Sequence, residues 1–104
     1  MPSTREFLEK VLEQLSGADG VFSRPMMGEY VIYYRGKVIG GIYDDRFLVK
    51  PTRSARAMLP DSGMAVPYDG AKEMLLVEDL EDKDLLRELL DAVHGDLPGP
   101  KKRT

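Results

Sequence analysis

Apolar residues fall at helical spacing at both ends of the chain and alternate with polar ones in between. Near the start, Phe7, Leu8, Val11, Leu12 and Leu15 recur every three or four positions and form one stripe. Ser3 precedes that stripe and Glu6 follows three residues later, the arrangement of a capping box, and Gly17 is the natural stop. Near the end, Leu85, Leu86, Leu89, Leu90 and Val93 repeat the spacing. They predict a helix over 83–94, with Asp82 as N-cap and Gly95 just beyond it.

Between the helices the period shortens. Residues 21–26 predict a short strand that Pro25 confines to an edge or a bulge. Residues 29–35 form the clearest strand, with Tyr30, Ile32 and Tyr34 on one face and Val31 and Tyr33 on the other. Arg35-Gly36-Lys37 reverses the chain into a strand over 37–43, and Asp44-Asp45 turns it again into a strand over 46–50; the type of that second turn stays open. Pro51 ends the meander. Thr52 caps a short helix over 53–59 that Pro60 stops, residues 64–66 form a short strand or an extended segment, and 72–77 form a further strand. The pattern predicts an α+β fold of two layers, an antiparallel sheet with flanking N- and C-terminal helices. A single domain is expected over 1–96, followed by a flexible basic tail over 97–104.

Composition narrows the chemistry. A chain of 104 residues that is 42% hydrophobic supports one modest core. The absence of cysteine excludes disulfides, thiolate nucleophiles and cysteine-ligated metals, and fits a reducing cytoplasm. No apolar run approaches the ~20 residues of a membrane helix, and the polar start MPSTREFLEK is not a secretory signal. A cytoplasmic location with no membrane partner is therefore expected. The net charge of −3 is unevenly placed: residues 21–60 hold seven basic against three acidic side chains, and 71–96 hold nine acidic against three basic. Two solvated faces account for this most simply; a basic surface for a phosphate or an acidic partner is the sharper reading.

The motifs carry little reactive chemistry. Arg24-Pro25-Met26-Met27-Gly28 predicts a bent or bulged connection with at least one methionine plugged into the core; an exposed methionine patch for a partner is the alternative. Gly40-Gly41, mid-strand, predicts a bulge or close packing under a helix, and no helix N-terminus follows to complete a phosphate cradle. His94 is the sole histidine, placed where a cation favours a helix C-terminus, without the neighbours a metal or a general base requires. Glu78, Asp79, Glu81, Asp82 and Asp84 lack the glycine and spaced glutamate of a calcium loop and read as helix capping with a solvated face. No Ser-His-Asp set, P-loop or dinucleotide fingerprint is present. No catalytic residue, cofactor or metal is expected.

The order of the segments RPMMGEYVIYYRGKVIGGIYDDRFLVKP and GMAVPY and of the acidic C-terminal helix resembles the N-terminal domain of the TfoX/Sxy family, regulators associated with bacterial natural competence. Met26 and Gly28 match the family's turn, Tyr30 and Tyr34 its tyrosine-rich strand, and Lys50 its strand-end lysine; Met27 stands where an aromatic is usual and Glu29 where a second glycine is usual. The resemblance implies a secretion-chaperone-like α/β two-layer fold and no accepted catalytic residues. Competence regulators of the family commonly carry a further helical C-terminal domain, and none is expected here.

The leading functional expectation is a non-enzymatic module that binds another protein or a second copy of itself, with Met27, Tyr33, Arg35, Lys37, Arg46 and Lys50 on the contact surface. One alternative is a nucleic-acid-linked regulator using Arg35, Lys37, Arg46, Lys50, Arg53 and Arg56. Another is a small-ligand site between helix and sheet, lined by Tyr30, Tyr34 and Lys50.

Overall fold

Nine elements follow in chain order: α1 (Arg5–Gln14), β1 (Val21–Met26), β2 (Glu29–Tyr34), β3 (Lys37–Ile42), β4 (Phe47–Val49), α2 (Arg53–Met58), β5 (Met64–Ala65), β6 (Met74–Leu76) and α3 (Lys83–Asp96). The computed structural model describes residues 3–98. The strands form one antiparallel sheet in the order β1-β2-β3-β4-β6-β5, so the meander continues until β6 inserts between β4 and β5. Side chains of all three helices enter one core with the inward residues Ile32, Tyr34, Ile39, Phe47, Val49 and Leu75. This is the expected two-layer α+β fold.

The three hairpin turns of the meander share one geometry. Met27-Gly28, Arg35-Gly36 and Asp44-Asp45 each place both central residues at positive φ, between 48° and 85°. That is the type I′ turn, whose twist matches the twist of the strands it joins. It settles the Asp44-Asp45 turn and corrects the reading of the methionine pair. In a two-residue loop Met27 occupies the outermost position, where it is 95% exposed, and Met26 lies on the outer sheet face. Neither methionine plugs the core.

Gly40 and Gly41 do mark a bulge. Ile32 and Tyr33 of β2 face Gly40 and Val38, which leaves Ile39 as the extra residue and buries it in the core. The close approach is made by β4 and by a tyrosine ring rather than by a helix. A Cβ on Gly40 would meet the Leu48 carbonyl oxygen at 2.1 Å, and one on Gly41 would meet the Tyr43 ring at 2.6 Å.

Both long helices end differently from the sequence pattern. Thr4, not Ser3, caps α1, its hydroxyl accepting from the Phe7 N–H at 3.1 Å. Ser3 is engaged elsewhere: its hydroxyl donates to Glu29 at 2.6 Å and accepts from the Asp45 N–H at 3.1 Å. The C-cap of α1 is Leu15, ahead of Gly17. Helix α3 runs through Gly95 to Asp96 and stops because Pro98 forces Leu97 into an extended conformation, φ −85° and ψ 147°. The tail expected from 97 onward lies outside the described residues beyond Pro98; Leu97 itself packs against the core.

Two side-chain contacts tie α3 to its surroundings. Asp96 accepts from the Ser54 N–H at 2.8 Å and from the Ser54 hydroxyl at 3.0 Å, which holds its carboxyl below the ordinary range. The Tyr34 hydroxyl donates to Asp91 at 2.5 Å. Burial raises the Tyr34 phenol above its ordinary value of 10.0, and the hydrogen bond and charge of Asp91 add to the rise. Folding therefore holds that proton more tightly than the unfolded chain does. The resulting stability is complete below about pH 10 and is lost as pH rises through the folded-state value. Urea unfolding at pH 7 and above pH 10 should show a smaller alkaline loss for Tyr34→Phe than for the parent, with Tyr43 supplying the remainder. An unchanged alkaline loss would remove Tyr34 from this account.

Candidate functional site

With every helix on one side, the other face of the sheet must be covered by the chain itself or left open. Cross-strand pairing puts Phe22 beside Tyr33, Arg24 beside Val31, and Val38 beside Tyr33 on this outer face. Phe22 and Tyr33 stack with ring centroids 4.7 Å apart and planes 3° from parallel, and the Arg24 guanidinium lies 5.8 Å from the Tyr33 ring centre. Stacking and cation–π contact rigidify this ladder without covering it; Phe22 remains 48% exposed. Strand β1 is also a sheet edge, blunted only by Pro25.

Over the β3–β4 side, the segment between β5 and β6 folds across the sheet. Pro67 is buried, Leu48 is fully covered, and Arg46 reaches the Val66 carbonyl at 3.4 Å. Tyr43 lies on Gly41, 6% exposed, with its ring centre 6.0 Å from that of Tyr68. Two clefts open beside this tyrosine pair. One, of about 420 Å³, is lined by Met26, Met27, Glu29, Tyr43 and Tyr68. The other, of about 360 Å³, is walled by Tyr43, Pro51, Pro67, Tyr68 and Met74, with Lys50 at its side. A depression beside the start of α3 presents Asp79, Glu81, Asp82 and Asp84 to solvent, with Asp82 occupied in capping the Leu85 N–H. Among the described residues no set of three His, Asp or Glu side chains could hold a metal.

The residues picked from sequence are dispersed over this surface. Met27 sits at one end of the sheet in the first cleft, and Tyr33 in the middle of the outer face. Arg35 occupies the turn at the opposite end, its guanidinium 5.1 Å from the Tyr34 ring centre and its Nε donating to the Asp19 carbonyl. Lys37 is spent on structure: its Nζ donates to the His94 and Leu97 carbonyls at 2.9 Å each, satisfying the end of α3. Arg46 and Arg56 likewise donate to backbone carbonyls. Lys50 faces the outer side, so the site with Tyr30 and Tyr34 does not form; those two tyrosines face the core. Sequence reasoning missed Phe22, Tyr43 and Tyr68. The signal for Phe22 was its register opposite Tyr33; nothing local pointed to Tyr68, which arrives from a loop.

The TfoX N-terminal domain family model matches residues 13–94. The chain belongs to the TfoX N-terminal domain family. It is also 37% identical over 79 residues to an uncharacterised 12.7 kDa protein in the trpE 5′ region of Spirochaeta aurantia, covering 75% of this chain and 69% of that one. No solved structure matches the chain significantly. The positions that carry the TfoX-domain resemblance have distinct jobs here. Met26 and Gly28 build the first I′ hairpin, Tyr30 and Tyr34 face the core, and Lys50 follows β4 at the side of the cleft walled by Pro51, Pro67 and Met74. Glu29, where the family usually has glycine, accepts three hydrogen bonds on one oxygen: from the Ser3 N–H, the Ser3 hydroxyl and the Asp44 N–H.

Proposed function

We propose that this TfoX-type domain is a non-enzymatic, protein-binding regulatory module of the cytoplasm, and that it docks its partner on the outer sheet face between β1 and β3. The observation that supports this reading is the stacked Phe22–Tyr33 ladder, flanked by Arg24, on the face that no helix covers. Aromatic and arginine side chains held rigid before binding are the groups from which interface hot spots are made. The methionine pair at the adjoining hairpin tip adds a surface that adapts its shape. Family membership supports a regulatory role linked to competence. A second copy of the chain is the simplest partner, because β1 is an edge strand that presents this ladder beside its free backbone groups.

The double substitution Phe22→Ser, Tyr33→Ser should weaken association at least about tenfold while the far-UV circular dichroism stays native. Sedimentation of parent and variant over a concentration series tests self-association, and affinity capture from native lysate tests a foreign partner. Identical sedimentation together with identical captured proteins would defeat the proposal.

A further inference from the structure

The cleft of about 360 Å³ beside Tyr43 has a composition that the docking face does not explain. Its volume falls within the range of small-molecule sites, and its walls are Pro51, Pro67, Tyr68 and Met74. Lys50 and Tyr43 both line it. Lys50 is half-buried and, among the described residues, forms neither an ion pair nor a side-chain hydrogen bond. Its backbone is fixed, the N–H donating to the Ile39 carbonyl at 2.9 Å and the carbonyl accepting from the Thr52 N–H at 2.8 Å. Tyr43 is more than nine-tenths buried, yet its hydroxyl bonds to no described residue. Among the described residues no buried side-chain polar atom is left unsatisfied, so that hydroxyl is not sealed off; Tyr43 lines both this cleft and the neighbouring one that holds Glu29. Gly41 makes the room for it, since a Cβ there would stand 2.7 Å from the hydroxyl oxygen.

The charge of the occupant follows from these groups. Lys50 and Lys72 line the cleft against one carboxylate, Glu73, so a cation is repelled and a single negative charge is matched. A phosphate would call for an arginine fork or a nest of backbone N–H groups, and no arginine lines the cleft. Burial, and then the neighbouring Tyr68 and Glu29, push the Tyr43 phenol above its ordinary value, so near neutral pH it is a hydrogen-bond donor. We propose that this cleft binds a small apolar monocarboxylate, its carboxylate facing Lys50 and the Tyr43 hydroxyl and its hydrocarbon part lying against Pro67, Tyr68 and Met74.

The test is a titration of the 15N-labelled chain followed by NMR, with 4-phenylbutyrate and octanoate as probes and 4-phenylbutyramide as the uncharged equivalent. Saturable shifts should map to the amides of residues 48–51 and 68–74. At least one acid should bind about tenfold more tightly than the amide. Lys50→Met, which keeps the side-chain stem, should bring acid and amide to equal affinity, and Tyr43→Phe should weaken the acid several-fold. The spectrum of each free variant shows whether its fold is intact. Three results would overturn the proposal: no saturable shift with either acid, equal binding of acid and amide by the parent, or an undiminished acid preference in a folded Lys50→Met.

Discussion

Gly40→Ala should destabilise the domain by about 3 kcal/mol or more and lower Tm by roughly 15 °C. The added Cβ would stand 2.1 Å from the Leu48 carbonyl oxygen and 2.8 Å from the Val49 Cα. Both neighbours are backbone atoms, so no change of rotamer relieves the clash. Strand β4 would have to move off β3, giving up the Gly40↔Val49 and Gly41↔Leu48 pairings and the Lys50 bond to Ile39. Gly17→Ala is the matched control: nothing lies within 4 Å of its added Cβ. Its stability should stay within about 1 kcal/mol of the parent. Urea unfolding of the three proteins decides the matter, and a Gly40→Ala variant as stable as Gly17→Ala would mean the β3–β4 approach is looser than described.

Most of the framework was legible because the features that build it are periodic. Leu8, Val11 and Leu15 are buried as the α1 stripe predicts, and Leu86, Leu89, Leu90 and Val93 as the α3 stripe predicts. The alternation of Tyr30, Ile32 and Tyr34 against Val31 and Tyr33 sorted the two sheet faces correctly. What failed was decided by contacts distant in sequence. Ser3 has the right chemistry for an N-cap, but Glu29 and Asp45 claim its hydroxyl, and the cap passes to Thr4. Gly95 looked like a stop, yet α3 continues until the residue before Pro98. The methionine pair departs from expectation for a local reason: Pro25 and Gly28 suit a bend equally well. A two-residue turn instead sends its first residue outward.

The candidate site was less legible than the fold. Parity alone separates Tyr33 from Tyr30 and Tyr34, and its partner Phe22 follows once the hairpin register is known. Lys50 is expected beside Tyr30 and Tyr34, but those two tyrosines face the core and Lys50 does not. Its actual neighbours, Tyr43 and Tyr68, are separated in the chain by two strands and a helix. No periodic pattern reports a loop residue that folds back across a sheet. The basic middle segment was misleading in the same way. Lys37, Arg46 and Arg56 are adjacent in charge statistics but are engaged by separate backbone carbonyls.

Removing the carboxylate of Glu29 should loosen three segments at once. Its Oε1 holds the Ser3 N–H at 3.1 Å, the Ser3 hydroxyl at 2.6 Å and the Asp44 N–H at 3.1 Å. Asp45 completes the closure by accepting from the Thr4 N–H at 2.7 Å while its own N–H donates to Ser3. The start of α1 is thereby fastened to two hairpin tips. Hydrogen bonds to a charged acceptor contribute about 1.5–3 kcal/mol when sheltered, and less at a partly exposed position such as this one. Glu29→Ala should therefore cost about 2 kcal/mol and roughly 10 °C of Tm, with Glu29→Gln recovering part of the loss. Because Ser3 and Glu29 act through the same bonds, Ser3→Ala combined with Glu29→Ala should destabilise by about 1 kcal/mol less than the sum of the two alone. Hydrogen exchange should quicken at Thr4, Asp44 and Asp45 while the α3 core stays protected. Full additivity, or parent-like protection at those amides in Glu29→Ala, would show that the start of α1 is held by its apolar stripe and not by this carboxylate.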